Sequence, residues 1–570
     1  MNHREGLCLA LSLVTTSLGT VAACSSSSSP NPASGGDAGE DVTGVDVGSP
    51  GDSSARDGAS DSAAEANGDG GSDAPSIPTP NGTKLAKAGS PSLYGMTSDG
   101  YAVYLKPVSG VMVVATSGQD AGTEINVSPP SQADGGNYFD IVVVGSVVFS
   151  WPNLDTYPGA SGPMYVWSAA TGSHLIPGLT LGGFVAASGD GSKIIYGATT
   201  STGATTGDIV VANTDGSNPT VLESQVGAAC VPQASFVGAN QTDPLVAYCL
   251  PTDAATATAT LDAFQGASWT KTNLATGLKA SNPNPLQPYV FSGPWQGNVY
   301  ALDSSSSNIL TVSSANEAIA IAYPGGTSSN LESAAASPAY FTGSGGAVDA
   351  VYVTQAGALH ASTLPTGTPA TLVSSGVSYV YGATSPDGKW GVYGTNVGTS
   401  VAGQTTTDLT LFATSLPATT KSVTMFSTAL FEAVGASSFF TGDSTHLLWD
   451  DAVSAASNGA GTYTTFHAYD LASGTSTVVG GEVWLHYSIG SGTKVLYNDH
   501  STVTSNATGN GVVADIKVAD VAASPLAPTL VQAGADVNFV LTPDQKTVVY
   551  AYTQGDADAG VNGIYAVSVP

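Results

Sequence analysis

Gly182 to Ser224, GGFVAASGDGSKIIYGATTSTGATTGDIVVANTDGSNPTVLES, decides the fold. Phe184 to Ala187 reads as a short strand. Ser188-Gly189-Asp190-Gly191 is a turn, because Asp and Gly bend the backbone and tolerate positive φ. Lys193 to Tyr196 is a second strand and Asp208 to Asn213 a third. Thr214-Asp215-Gly216-Ser217 turns again, and Pro219 to Leu222 is a fourth strand. Four strands alone cannot bury both of their faces, so such a unit needs neighbours.

The sequence supplies them. The second strand follows an Asp/Gly turn and ends in an aromatic residue. Ser385-Pro386-Asp387-Gly388-Lys389-Trp390 leads to Tyr393, Thr542-Pro543-Asp544-Gln545-Lys546 to Tyr550, and Ser98-Asp99-Gly100 to Tyr104. Weaker copies end at Phe149, Tyr248, Tyr300, Tyr352, Trp449 and Tyr497. Neighbouring marks lie roughly 40 to 56 residues apart, the period of propeller blades. These units resemble the TolB-type, WD-repeat-like β-propeller repeat: a Ser-Pro-Asp-Gly-Lys turn, an apolar strand ending in an aromatic, then a strand and an Asp-Gly turn. The likeness is sharpest in the units ending at Tyr196, Tyr393 and Tyr550. It implies an all-β fold, a single large propeller of eight to ten four-stranded blades over residues 83–570, with two smaller rings as the alternative. Gly563 to Val569 reads as a third strand with no fourth after it. Thr83 to Ala88 is expected to supply that strand and close the ring, which removes exposed edges.

The 570 residues carry a net charge of −30. Both arginines, Arg4 and Arg56, precede the repeats, which hold 11 lysines against 32 acids. Nucleic-acid binding needs clustered cations, and docking to bare anionic lipid needs a basic patch; this chain offers the opposite field. Only 10% of residues are charged, so Ser and Thr must solvate much of the surface.

Residues 1–23 read as a targeting segment: His3 and Arg4, an apolar run from Leu7 to Val21, then small residues before Cys24. Val21-Ala22-Ala23-Cys24 resembles the bacterial lipobox, which implies a lipoprotein signal peptide and acylation of Cys24. Cys8 falls in the discarded run. Residues 24–82 form the acylated Cys and an acidic linker of Ser, Gly, Ala, Asp and Pro, too poor in large apolar side chains to fold and therefore expected to be disordered. A flexible coil of that length spans about 40 Å, which suits a tether. Cys230 and Cys249 flank a first-strand and second-strand pair, and a hairpin centred between Ala239 and Asn240 would set them opposite each other. Export to an oxidising compartment makes a disulfide the expected state.

Catalytic signatures are few. No Gly-x-Ser-x-Gly elbow, CxxC pair, HExxH or phosphate loop occurs in the chain. Asp556 to Asn562 has the flavour of a calcium loop but reads better as a solvated one. Asp450, Asp451, Asp499 and His500 stand out as weak candidate ligands for a divalent cation, because Trp449-Asp450-Asp451 and Tyr497-Asn498-Asp499-His500 occupy one register in adjacent units. Long loops are expected after both, at Ala452–Gly461 and Ser501–Gly511. His486 reads as a packing residue, and His174, His360 and His467 as isolated strand residues. No cofactor is required. The expected function is that of a monomeric, outer-membrane-anchored envelope lipoprotein, periplasmic or surface-exposed, whose propeller binds a protein or polysaccharide. The alternative is a metal-assisted hydrolase or lyase on the face bearing Asp450 and His500. A third reading, an outer-membrane β-barrel, conflicts with the lipobox and the propeller-like turns.

Overall fold

The computed structural model describes the chain from residue 79, apart from connecting stretches of which 129–139, 153–160, 251–257, 280–298, 396–406 and 416–422 are the longest. The leader, Cys24, nearly all of the linker and Cys230 lie outside the described residues. Among those residues every regular element is a strand.

The strands form antiparallel sheets that succeed one another along the chain. The first repeat runs from Ser92–Met96 to Glu124–Asn126. Asp140–Val144 to Thr220–Gly227 form a seven-stranded sheet that holds two repeats. Four-stranded sheets follow from Gln233–Val237 to Thr270–Lys279, Tyr300–Leu302 to Thr327–Glu332, Ala335–Ser344 to Ala370–Val373, and Tyr379–Thr384 to Val423–Leu430. The next repeat has three full strands, His446–Ala455, Thr462–Asp470 and Thr475–Val483, with a single bridge from Phe440 to Leu447 where its first strand would lie. The repeat after it runs from Leu485–Ser488 to Thr529–Asp536, and Gly435–Ala436 adds to its inner edge in parallel.

The last sheet is made from both ends of the described chain. Phe539–Leu541, Thr547–Tyr552 and Gly563–Ser568 supply three strands, and Thr83–Lys87 supplies the fourth. Thr83 pairs with Ala566 and Lys87 with Gly563, as expected from the missing strand. Each sheet packs on the next, and the last packs on the first. The chain therefore folds as a β-propeller in one closed circuit.

The reason for this circuit lies within each strand. Ile194 and Tyr196 join a core with the preceding repeat, including Phe149 and Trp151, while Ile195 between them joins a core with the following repeat, including Phe236 and Tyr248. Both faces of the sheet are apolar, so the strand reads as a continuous hydrophobic run and cannot stand at an exposed end. The same two-sided arrangement seats Leu85, Tyr104, Val549 and Ile564 in one core that joins the last repeat to the first. Burying one such large side chain contributes about 1.5–3 kcal/mol.

The Asp-containing turns are built alike. Ser188 Oγ donates to Asp190 Oδ1 at 2.6 Å, Ser192 N donates to the same oxygen at 3.0 Å, and Lys193 N donates to Ser188 Oγ at 2.9 Å. Ser385 with Asp387 and Thr542 with Asp544 repeat the set. A fourth copy at Thr441, Asp443 and His446 has sequence too divergent to be singled out beforehand. These turns also join consecutive repeats: Ser98 N donates to Gly145 O at 2.8 Å, Gly189 N to Gln241 O at 3.1 Å, and Asp387 N to Ser444 Oγ at 3.0 Å.

Four expectations are corrected. The strand expected at Phe184–Ala187 is the end of Gly172–Ala187, which also serves as the fourth strand of the repeat before, so two repeats merge into one sheet. Tyr300 lies on the first described strand of its sheet rather than the second, which is Asn308–Val312. The hairpin before Cys249 pairs Gln233 with Ala247 and Val237 with Asp243, so it centres on Asn240. Ser501–Gly511 is mostly ladder: the second strand extends to Asn506, which pairs with Gly509.

Gly82 has φ +85°, and a Cβ there would stand 2.1 Å from Ala566 O. Gly178 has φ +91° with nothing within 4 Å of its Cβ position. Gly82→Ala is expected to cost about 2 kcal/mol or more, and Gly178→Ala about 1 kcal/mol, in chemical unfolding. Equal losses would mean that the close approach at the closing strand is not constraining.

A second prediction concerns pH. Burial alone would raise the carboxyls of Asp190, Asp387 and Asp443, but hydrogen bonds from the flanking Ser or Thr and the following amide hold all three below the usual range. Asp544 is lowered by the Thr542 hydroxyl and the Lys546 amide. A lowered folded-state pKa contributes stability that is complete above the unfolded value of about 3.9 and is lost as pH falls through the folded values. The melting temperature should therefore drop below about pH 4.5. Replacing all four by Asn should lower it at pH 7 and flatten that drop; parallel profiles would refute this.

Candidate functional site at the ends of the second strands

Asp499 closes the regular part of the second strand Lys494–Asn506, two residues beyond the buried ring of Tyr497. The ladder bulges between Asp499 and Thr502, and His500 occupies the left-handed region at φ 53°. A bulge re-aims the side chain at the break. Asp499 is buried while the His500 side chain is 66% exposed, with its Nε2 3.8 Å from Asp499 Oδ2.

The carboxylate is already occupied by the protein's own donors. Lys517 Nζ lies 3.0 Å from Oδ2. His500 N donates to Oδ1 at 3.0 Å, and Gly481 N and Glu482 N of the preceding repeat donate to it at 3.3 Å. Burial would raise this carboxyl, but the Lys517 hydrogen bond and charge hold it below its ordinary value. Asp499 thus ties two repeats together, and a cation at Oδ2 would compete with an ammonium already there.

Asp450 and Asp451 sit in the corresponding register of the preceding repeat, opposite Phe466 and Thr465, and the same kind of bulge follows, between Asp451 and Ser454. Their side chains lie outside the described residues. The register match read from sequence is therefore real at the level of backbone. Among the described residues no three His, Cys, Asp or Glu side chains gather as a metal-ligand set.

The histidines are less isolated than their spacing suggests. His360 Nδ1 lies 3.0 Å from Glu332 Oε2 of the preceding repeat, and its ring meets Tyr352 edge-on. His467 stacks on Trp449 at 4.2 Å between centroids, and His174 Nε2 lies 2.7 Å from Thr171 O. His486 is fully buried and stacks on Phe466 at 4.3 Å, the packing role expected for it.

One polar cluster was missed. Asp262 is fully buried, and its carboxylate accepts from Tyr248 Oη at 2.7 Å, Asn273 Nδ2 at 2.7 Å and Lys271 Nζ at 2.9 Å. Lys271 also pairs with Glu223 on the outer strand of the preceding repeat. Burial would lower this ammonium, but the hydrogen bonds it donates to Glu223, Asp262 and Tyr248 outweigh it and raise its pKa. The Tyr248 hydroxyl is raised first by burial and then by Asp262. The only hint in the sequence is that Tyr248 occupies the repeated aromatic position, whose hydroxyl elsewhere reaches the preceding repeat. Tyr352 donates to Leu331 O at 3.2 Å and Tyr497 to Val479 O at 3.1 Å. Cys249, the next residue, is fully buried. The cluster is satisfied internally and acts as a seam between repeats.

No family model matches the chain, and no curated protein matches it. Among solved structures it is similar to TolB from Acinetobacter baumannii, at 13% identity over 59% of this chain and 79% of TolB, with a TM-score of 0.22. It is similar to oligogalacturonate lyase from Vibrio parahaemolyticus at 10% identity, covering 76% of this chain and 97% of the lyase with a TM-score of 0.29. It is also similar to a prolyl endopeptidase at 14% identity over 67% of this chain, spanning 54% of that protein's length, with a TM-score of 0.34. At similarities of this size, the propeller assignment rests on the sheet order and closure described above.

Proposed function

We propose that this chain is a lipid-anchored β-propeller of the cell envelope that binds a protein or polysaccharide partner. The observation that carries the reading is the sequence Val21-Ala22-Ala23-Cys24 at the end of an apolar leader, followed by an acidic linker that runs into the closing strand. Several acyl chains on Cys24 would hold the protein firmly, at about 0.8 kcal/mol per buried methylene. The second strands whose ends are described run the same way in each repeat, so the connections that follow them would start from one side of the ring. Loops of this kind are where binding residues concentrate. Acidic residues at the strand ends beneath them would attract a cationic partner. A second reading, a metal-assisted hydrolase or lyase, draws on the exposed His500 beside Asp499.

Membrane fractionation with labelled palmitate tests the anchor. The wild type should label and sediment with membranes, and Cys24→Ser should do neither. A variant that still labels and sediments would end the lipoprotein reading. Non-reducing peptide mapping should show Cys230 linked to Cys249; two free thiols would refute that pairing. The combined Asp450→Asn and Asp451→Asn variant should weaken partner capture from envelope extracts if the acidic strand ends bind it. A stoichiometric divalent metal in the purified wild type, lost in this variant, would favour the enzyme reading instead.

A further inference from the structure

The closing strand is entered through a latch. Asn81 N donates to Gln532 Oε1 at 2.6 Å, and Asn81 Nδ2 donates to Val531 O at 2.8 Å, both on the outer strand of the neighbouring repeat. Tyr550 Oη donates to Asn81 O at 2.6 Å and to Gln532 Oε1 at 3.0 Å. The next residue is Gly82, whose α-carbon passes so close to Ala566 that a Cβ would lie 2.1 Å from its carbonyl oxygen. Closure therefore asks for an amide side chain at 81, to donate to Val531 O, and for glycine at 82. Together these requirements create an Asn-Gly dipeptide, the pair in which the following amide nitrogen is least hindered in attacking the side-chain amide.

We infer that Asn81 is a self-modification site whose deamidation is restrained by the latch and, once it happens, undoes it. In the reaction the Gly82 backbone nitrogen gives its proton to solvent base and bonds to Asn81 Cγ. The Cγ–Nδ2 bond breaks and the nitrogen leaves as ammonia, taking a proton from water. Water then opens the succinimide at either carbonyl, giving aspartate or isoaspartate. Aspartate has no N–H to donate and sets a carboxylate against the Val531 carbonyl. Isoaspartate also lengthens the backbone by one atom just before Thr83, the first residue paired with the other end of the ring. The latched geometry opposes the attack by fixing Nδ2 on Val531 and the Asn81 carbonyl on Tyr550. A ring that opens often should therefore mark itself at this residue.

The test is peptide mass spectrometry of the full-length protein aged at mildly alkaline pH. The five Asn-Gly pairs, at Asn67, Asn81, Asn458, Asn510 and Asn562, serve as internal references. In the folded wild type, Asn81 should convert more slowly than in the same chain unfolded in urea. Tyr550→Phe should speed conversion at Asn81 about fivefold, the effect of losing roughly one hydrogen bond's stabilisation of the closed state. It should leave Asn510 unchanged. A rate at Asn81 equal to that in urea, or one insensitive to Tyr550→Phe, would overturn the inference. Should Tyr550→Phe fail to fold, Asn81→Asp gives an independent reading. It should melt at a lower temperature than the wild type, and an unchanged melt would show that deamidation does not undo the latch.

Discussion

The pairing of Thr83–Lys87 with Gly563–Ser568 is the constraint on which the rest depends. The repeats whose side chains are described are apolar on both faces, so each is stable only between two neighbours. A linear stack of such repeats would end in two bare faces. Lending the first strand of the described chain to the last sheet makes those two ends into neighbours, and the core containing Leu85, Tyr104, Val549 and Ile564 forms across the join. The close approaches at Gly82 and Gly563 show how tightly the two segments meet: Cβ atoms there would stand 2.1 Å from Ala566 O and Ala86 O.

Within the ring, two local devices recur. The Ser/Thr-x-Asp turn ties its own hydroxyl, carboxylate and amides into a compact loop and then donates to the turn of the next repeat. The aromatic residue at the second strand fills the space between repeats. At Tyr352 and Tyr497 its hydroxyl donates to a carbonyl on the repeat before. Apolar bulk, with a directed hydrogen bond at these boundaries, fixes the spacing of the sheets and their relative register. At Tyr248 and Tyr497 this position has gathered charged partners, Asp262 with Lys271 and Asp499 with Lys517. The carboxylates of these pairs are buried and satisfied by the protein's own donors, which makes them seams rather than reactive groups.

Much of the fold was legible in the sequence because its signals are local. A Ser-Asp-Gly turn followed three residues later by an apolar strand specifies a hairpin regardless of what lies around it, and the missing strand after Gly563–Ser568 could be inferred by counting. Tyr300 misled because an aromatic on a first strand looks the same as one on a second. The turn at Thr441 went unnoticed because Ser444 takes the left-handed position that Gly191 and Gly388 hold elsewhere. The candidate site was legible only in its backbone. Matching positions for Asp451 and Asp499 followed from register, but the choice of Lys517 as partner depends on strands 18 residues apart coming side by side. The seam around Asp262 depends likewise on Glu223 in another repeat, a contact no local pattern encodes.

Closure by the strand at residues 83–87 can be measured directly by hydrogen exchange of the folded, full-length protein. The account requires the amides of Thr83–Lys87 to be protected to the same degree as those of Gly563–Ser568, because the two segments share one ladder and open together. Protection of Gly563–Ser568 alone, with Thr83–Lys87 exchanging as fast as an unstructured chain, would contradict it and leave the ring open at that seam.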